Sequence, residues 1–80
     1  MIVTAKDLEI RGKEKKISIK TNREYLVVRV EDETGKTIEL LDWNIENYDR
    51  YKKGITANFD LNLDIGKYIN ISIKDFTTTE

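Results

Sequence analysis

Residues 55–63 alternate without a fault. Ile55, Ala57, Phe59, Leu61 and Leu63 are apolar, and Thr56, Asn58, Asp60 and Asn62 between them are polar. Successive side chains of a strand point to opposite faces, so this run predicts a half-buried strand. A second run follows, with Ile69, Ile71 and Ile73 set against Tyr68, Asn70, Ser72 and Lys74. Asp64-Ile65-Gly66 lies between them and predicts a three-residue hairpin loop, with Gly66 in a left-handed third position. That loop would pair Leu63 with Lys67, Leu61 with Ile69, Phe59 with Ile71 and Ala57 with Ile73. All the apolar residues would then share one face, which is what specifies a register.

The same grammar occurs earlier. Asp32-Glu33-Thr34-Gly35-Lys36 holds a three-residue loop with Gly35 third. Counting outward sets Val30 opposite Ile38 and Val28 opposite Leu40 on a core face. On the other face Arg29 meets Glu39, Val27 meets Leu41 and Tyr25 meets Trp43. Opposite charges directly across strands are mildly favourable. This second face is partly apolar and aromatic, so the hairpin is not a simple one-sided pair.

Residues 45–53 predict a short helix, with Asn44 as N-cap and Gly54 as its stop. Ile45, Tyr48 and Tyr51 would form its apolar stripe, enough to plug the end of a barrel and too little to cover a sheet. Residues 2–10 carry Ile2, Val3, Ala5, Leu8 and Ile10 without a clean period. Ile17 and Ile19 alternate with Ser18 and Lys20 after the basic break at residues 11–16. This third of the chain reads either as one strand bent at Gly12 or as two short strands.

Composition narrows the chemistry. The 80 residues contain no Cys and no His. Disulfides, thiolate zinc sites and every histidine-based triad are thereby excluded. The net charge of −1 excludes a strongly basic nucleic-acid coat. No apolar run approaches the roughly 20 residues of a membrane helix. The expectation is a single domain over residues 1–80, without a membrane segment and cytoplasmic. Its apolar set, rich in β-branched Ile and Val, includes Ile17, Ile19, Leu26, Val28, Val30, Ile38, Leu40, Phe59, Leu61, Leu63, Ile69, Ile71 and Ile73, enough for one core without metal or disulfide.

In order these segments give strand, strand, strand, short helix, strand, strand. The run Val28-Arg29-Val30-Glu31-Asp32-Glu33-Thr34-Gly35, followed by Ile38-Glu39-Leu40-Leu41-Asp42-Trp43, carries an Asp-x-Thr-Gly turn between two strands, the second ending in Trp. Tyr51-Lys52-Lys53-Gly54 precedes the fourth strand. Over residues 25–76 this arrangement resembles the oligonucleotide/oligosaccharide-binding (OB) fold superfamily, in particular its anticodon-binding and replication-protein-A-like members. It departs from them in having no glycine in the fourth strand. The resemblance implies an all-β Greek-key barrel of five or six strands with one short helix. A β-grasp sheet and an SH3-like barrel are the alternatives.

In the resembled fold the second and third strands present an outward face to the ligand. Here that face holds Tyr25, Val27, Leu41 and Trp43. Tyr25 and Trp43 would stack bases, and Arg29 would contact phosphate or a base. The competing reading is that the N-terminal segment or the helix covers this face. Residues 1–30 carry eight cations against four anions, and residues 31–80 carry six against eleven. Lys13, Lys15, Lys16 and Lys20 are accordingly candidates for backbone contacts, and an ordinary solvated loop is the competing reading. The polar face of the last hairpin, Asn62, Ser72 and Lys74 included, reads as what a sheet shows to water. Asp32 and Glu33 are accounted for by their turn, and no nucleophile sits beside a base. The expectation is a non-enzymatic module with no metal and no cofactor that binds single-stranded nucleic acid weakly or within an assembly. The alternative is a protein-interaction adaptor or structural accessory subunit, such as one of a phage or mobile element, homo-oligomeric or with a protein partner, that uses the same barrel.

Overall fold

A computed structural model of the chain describes residues 1–79. It contains five strands and one short helix: β1 Ile2–Ile17, β2 Glu24–Glu31, β3 Thr37–Asp42, a 3-10 helix Ile45–Arg50, β4 Thr56–Ile65 and β5 Ile69–Thr78. The strands form one closed barrel in the order β1-β2-β3-β5-β4, with β4 returning to β1. The fold is therefore all-β with one short helix, in a small closed barrel. Closure removes the free edges that an open five-stranded sheet would present.

β1 makes the closure. It is one strand, and two irregularities bend it. Its register on β4 shifts between Ala5 and Leu8, where Asp7 takes a φ of 57° and its amide donates to Asn58 Oδ1 at 2.9 Å. Its register on β2 shifts between Ile10 and Gly12. Such bulges add twist, so the first half of β1 can pair with β4 and the second half with β2. Of the two sequence readings, the single bent strand holds, and the bend falls at Gly12 and also earlier.

The β2–β3 hairpin has the predicted register: Val30 opposite Ile38, Arg29 opposite Glu39, Val28 opposite Leu40 and Val27 opposite Leu41. Gly35 sits at φ +87°, a conformation costly for any residue with a Cβ. Asp32 fixes the turn by accepting from the Thr34 hydroxyl at 2.6 Å and from the Thr34 and Lys36 amides at 2.9 Å.

The β4–β5 hairpin turns later than the sequence predicts. Its loop is Gly66-Lys67-Tyr68, and Leu61 meets Ile73, Leu63 meets Ile71 and Ile65 meets Ile69. Gly66 is not left-handed; the positive-φ glycines are Gly35 and Gly54. The partner of Leu61 has moved four residues, an even number, so the apolar face is kept. Between Asp60 and Leu61 the register shifts again, past Lys74, and Phe59 then meets Phe76.

The core is Leu8, Ile10, Leu26, Val28, Val30, Leu40, Tyr51, Ala57, Phe59, Leu61, Ile73 and Phe76. Tyr51, Phe59 and Phe76 stack at its centre, with Tyr51 and Phe76 ring centroids 4.5 Å apart. Several residues expected inside are outside. Ile17, Ile19, Ile38, Ile69 and Ile71 are exposed and Leu63 is half-buried; Ile17, Ile38, Ile69 and Ile71 sit near strand ends, and Ile19 lies in the turn between β1 and β2. The helix is shorter than the expected residues 45–53 and buries none of its own residues. Asn44 caps it as predicted, accepting from the Glu46 amide.

Candidate functional site

Register determines which side chains meet outside the barrel, because residues directly opposite one another across strands share a face. One row runs Gly12, Arg29, Glu39 and the next runs Glu14, Val27, Leu41. A third row begins with Lys16 opposite Tyr25 and continues to Trp43, which follows β3. Tyr25 and Trp43 ring centroids lie 5.2 Å apart at a tilt of 47°. The Arg23 guanidinium carbon stands 4.9 Å from the centre of the Trp43 ring, within cation–π range.

This face is neither fully covered nor bare. Val27 is buried, yet it belongs to no part of the core cluster; Leu41 and Tyr25 are half-buried, and Trp43 is 37% exposed. The competing reading had the N-terminal segment or the helix cover this face; the helix instead meets β1 through Tyr48 against Lys13 and Lys15, on the opposite face. On the far side of Trp43, β5 comes alongside β3 with Ser72 next to Leu41. A groove of about 440 Å³ opens there, lined by Arg23, Asp42, Trp43, Asn62, Ser72 and Lys74 among others. A smaller depression of about 200 Å³ lies between Lys13, Val27, Arg29 and Glu39.

The candidate lysines divide between two surroundings. Lys16 shares the face of Tyr25 and lies 3.9 Å from Glu14. Lys20 is exposed on the turn between β1 and β2, which is closed by the Ser18 amide on the Arg23 carbonyl at 2.9 Å. Lys13 and Lys15 pair with the core residues Val28 and Leu26 and so turn to the opposite face. There they stand over the Tyr48 ring at 4.0 and 5.0 Å, and Lys13 also donates to the Tyr48 carbonyl at 2.6 Å. These two lysines clamp the helix to β1. Arg29 remains exposed between Gly12 and Glu39.

Asp42 holds the site from beneath. It faces inward opposite Leu26 and is buried. Its carboxylate accepts from the Asn44 amide and the Asn47 side chain, both at 2.9 Å, and from the Tyr51 hydroxyl. Burial of Tyr51 and, next, its bond to Asp42 push the phenol well above its ordinary range. The bonded carboxylate thus fixes the chain on both sides of Trp43. Strand parity marks Asp42 as inward from the sequence alone, since Leu40 faces the core two residues earlier.

Sequence reasoning missed Arg23, Asn62, Ser72 and Lys74 as neighbours of Trp43. Arg23 precedes β2, in the turn that leads into it, so strand alternation does not assign it a face. The others depend on β5 lying beside β3, a pairing that no local pattern encodes. Among the described residues no group of three or more acidic side chains is placed to hold a metal ion, and no helix is long and apolar enough to cross a membrane. Comparison with protein-family models, with curated proteins and with solved structures gives no match in any of the three.

Proposed function

We propose that this chain is a small non-enzymatic OB-like module that binds single-stranded nucleic acid weakly or as part of an assembly. The observation that supports it is the aromatic pair Tyr25–Trp43, half open to solvent, with Arg23 on the Trp43 ring and a groove beside it. Single-strand binders combine stacking platforms with cations that track the backbone. Here Trp43 and Tyr25 take the bases, and Arg23, Arg29, Lys16, Lys20 and Lys74 take the phosphates. Lys13 and Lys15, held against Tyr48 on the opposite face, are not among the contacts. The strand order β1-β2-β3-β5-β4 and the helix between β3 and β4 agree with the OB-like reading.

The test is a titration with dT oligonucleotide at low salt, repeated as salt is raised, following the fluorescence of the single Trp. Quenching whose midpoint weakens linearly on a log–log salt plot supports the reading, and the slope counts the phosphates engaged. No binding of dT, mixed-sequence DNA or RNA at low salt overturns it.

One observation favours a second reading, a protein-interaction adaptor. Ile65, Tyr68 and Ile69 at the tip of the β4–β5 hairpin are each about two-thirds exposed. Exposed apolar groups gathered on one strand end are features of a protein contact. Light scattering across a concentration series separates the variants of that reading: a mass that stays at one chain removes self-association and leaves a different protein as the partner.

A further inference from the structure

We infer that the groove beside Trp43 holds one nucleotide and selects its base, with Asn62 and Ser72 reading the base edge while Arg23 and Lys74 hold the flanking phosphate. This rests on the single-strand reading above and goes beyond it, because a stacking platform alone accepts every base.

The argument begins with the outward residues of β4. Three of them are polar at alternate positions, Asn58, Asp60 and Asn62. Two have structural work. Asn58 accepts from the Asp7 amide at 2.9 Å, and Asp60 accepts from the Thr4 hydroxyl at 3.0 Å. Asn62 has none. Among the described residues neither its side chain nor that of Ser72 makes a hydrogen bond. The two residues are direct partners across β4 and β5, both half-buried, and both line the groove. A carboxamide offers a donor and an acceptor side by side, and a hydroxyl offers either. That is the complement of a base edge, and the Trp43 ring next to it supplies the stacking surface.

Charge favours the same ligand. Arg23 and Lys74 line the groove, and its acid, Asp42, is buried and already meets three donors of its own. A larger groove of about 650 Å³, between the helix and the end of β5, makes a useful contrast. There Arg50 and Lys52 face Asp49 and Asp75, and the acids oppose a phosphate.

The experiment compares dA, dC, dG and dT oligonucleotides of equal length on the wild-type chain and on Asn62→Ala, Asn62→Asp and Ser72→Ala. Trp43 fluorescence reports binding, and a thermal melt of each variant reports folding. The expected result is a preference of roughly 10-fold or more for one base, within the range a paired base contact discriminates. Asn62→Ala erases that preference and leaves the weaker, base-blind affinity. Asn62→Asp keeps the volume but exchanges the donor for an acceptor, and so changes which base is preferred. Equal binding of all four bases by the wild type overturns the selective pocket and leaves the stacking platform standing. A preference that survives both Asn62→Ala and Ser72→Ala also overturns it, since the base is then read elsewhere. If none of the four binds, both readings fall together.

Discussion

Asp42 and Tyr51 are the residues on which the site's geometry turns. A buried carboxylate is costly unless its lone pairs are met, and here three donors meet them. Tyr51→Phe removes one donor and keeps the ring stacked on Phe76. The expected loss is about 1–3 kcal/mol in a urea unfolding series, the range for leaving a buried partner unsatisfied. The pH dependence has a definite sign. The folded phenol ionises above its ordinary value, so the native state holds that proton more tightly than the unfolded chain does. The resulting stability is complete below about pH 10, where an unfolded tyrosine begins to ionise, and is lost as pH rises beyond it. The wild type is therefore expected to lose more stability than Tyr51→Phe between pH 9 and 11, taking about 9 and 11 as a bracket of that value. Parallel curves for the two would show that the buried Tyr51 phenol is not the source of the pH dependence. Trp43 differs in kind. It is 37% exposed and outside the core cluster, so Trp43→Ala is expected to keep a cooperative thermal transition while weakening oligonucleotide binding by the roughly 1–3 kcal/mol of a base stack. Loss of the transition would make Trp43 a core residue and dismiss the platform.

The elements show where a sequence speaks and where it falls silent. The β2–β3 register was legible because Asp32 and Gly35 fix the turn chemically and every pair follows by counting. The β4–β5 register was not. Alternation specifies the face but not the turn, and a slip by an even number of residues costs nothing in patterning. The shift past Lys74 then resets the parity of β5, which is how Phe76 reaches the core although it sits out of phase with Ile73. Alternation and turn chemistry led to the right order of elements, but the helix expected over residues 45–53 ends at Arg50. In β1 the same parity argument divides the lysines. Lys16 lies on the Tyr25 face, whereas Lys13 bonds the Tyr48 carbonyl. Lys16→Ala is expected to lower the magnitude of the salt slope of oligonucleotide binding by about 1 without moving the melting temperature. Lys13→Ala is expected to lower the melting temperature and leave that slope nearly unchanged. Identical effects from the two would show that the helix contact of Lys13 does not decide its role.

At the scale of the whole barrel, closure is uneven. Four of the five seams are antiparallel ladders of several pairs, but β3 and β5 meet in parallel at Leu41 and Ser72 alone. A seam with so little pairing is where the barrel opens first, since local opening follows the density of buried contacts and backbone bonds. The candidate groove lies across that seam, with Trp43 on the β3 side and Asn62, Ser72 and Lys74 on the β4–β5 side. A ligand seated there ties the two sides together, and it stabilises the closed form by RT ln(1 + L/Kd), L being the free ligand concentration, when it binds that form alone. In native-state hydrogen exchange the amides of β5 near Ser72 that face β3 are expected to exchange faster than those of Val28 and Leu61. Saturating oligonucleotide should slow them while leaving the β1–β2 ladder near its original rates. Seam amides as protected as the core would mean that closure does not depend on this one pairing. Seam amides that are quick in the free chain and stay quick when oligonucleotide is bound would place the ligand away from the groove. In that case the exposed apolar tip of the β4–β5 hairpin becomes the surface to test against protein partners.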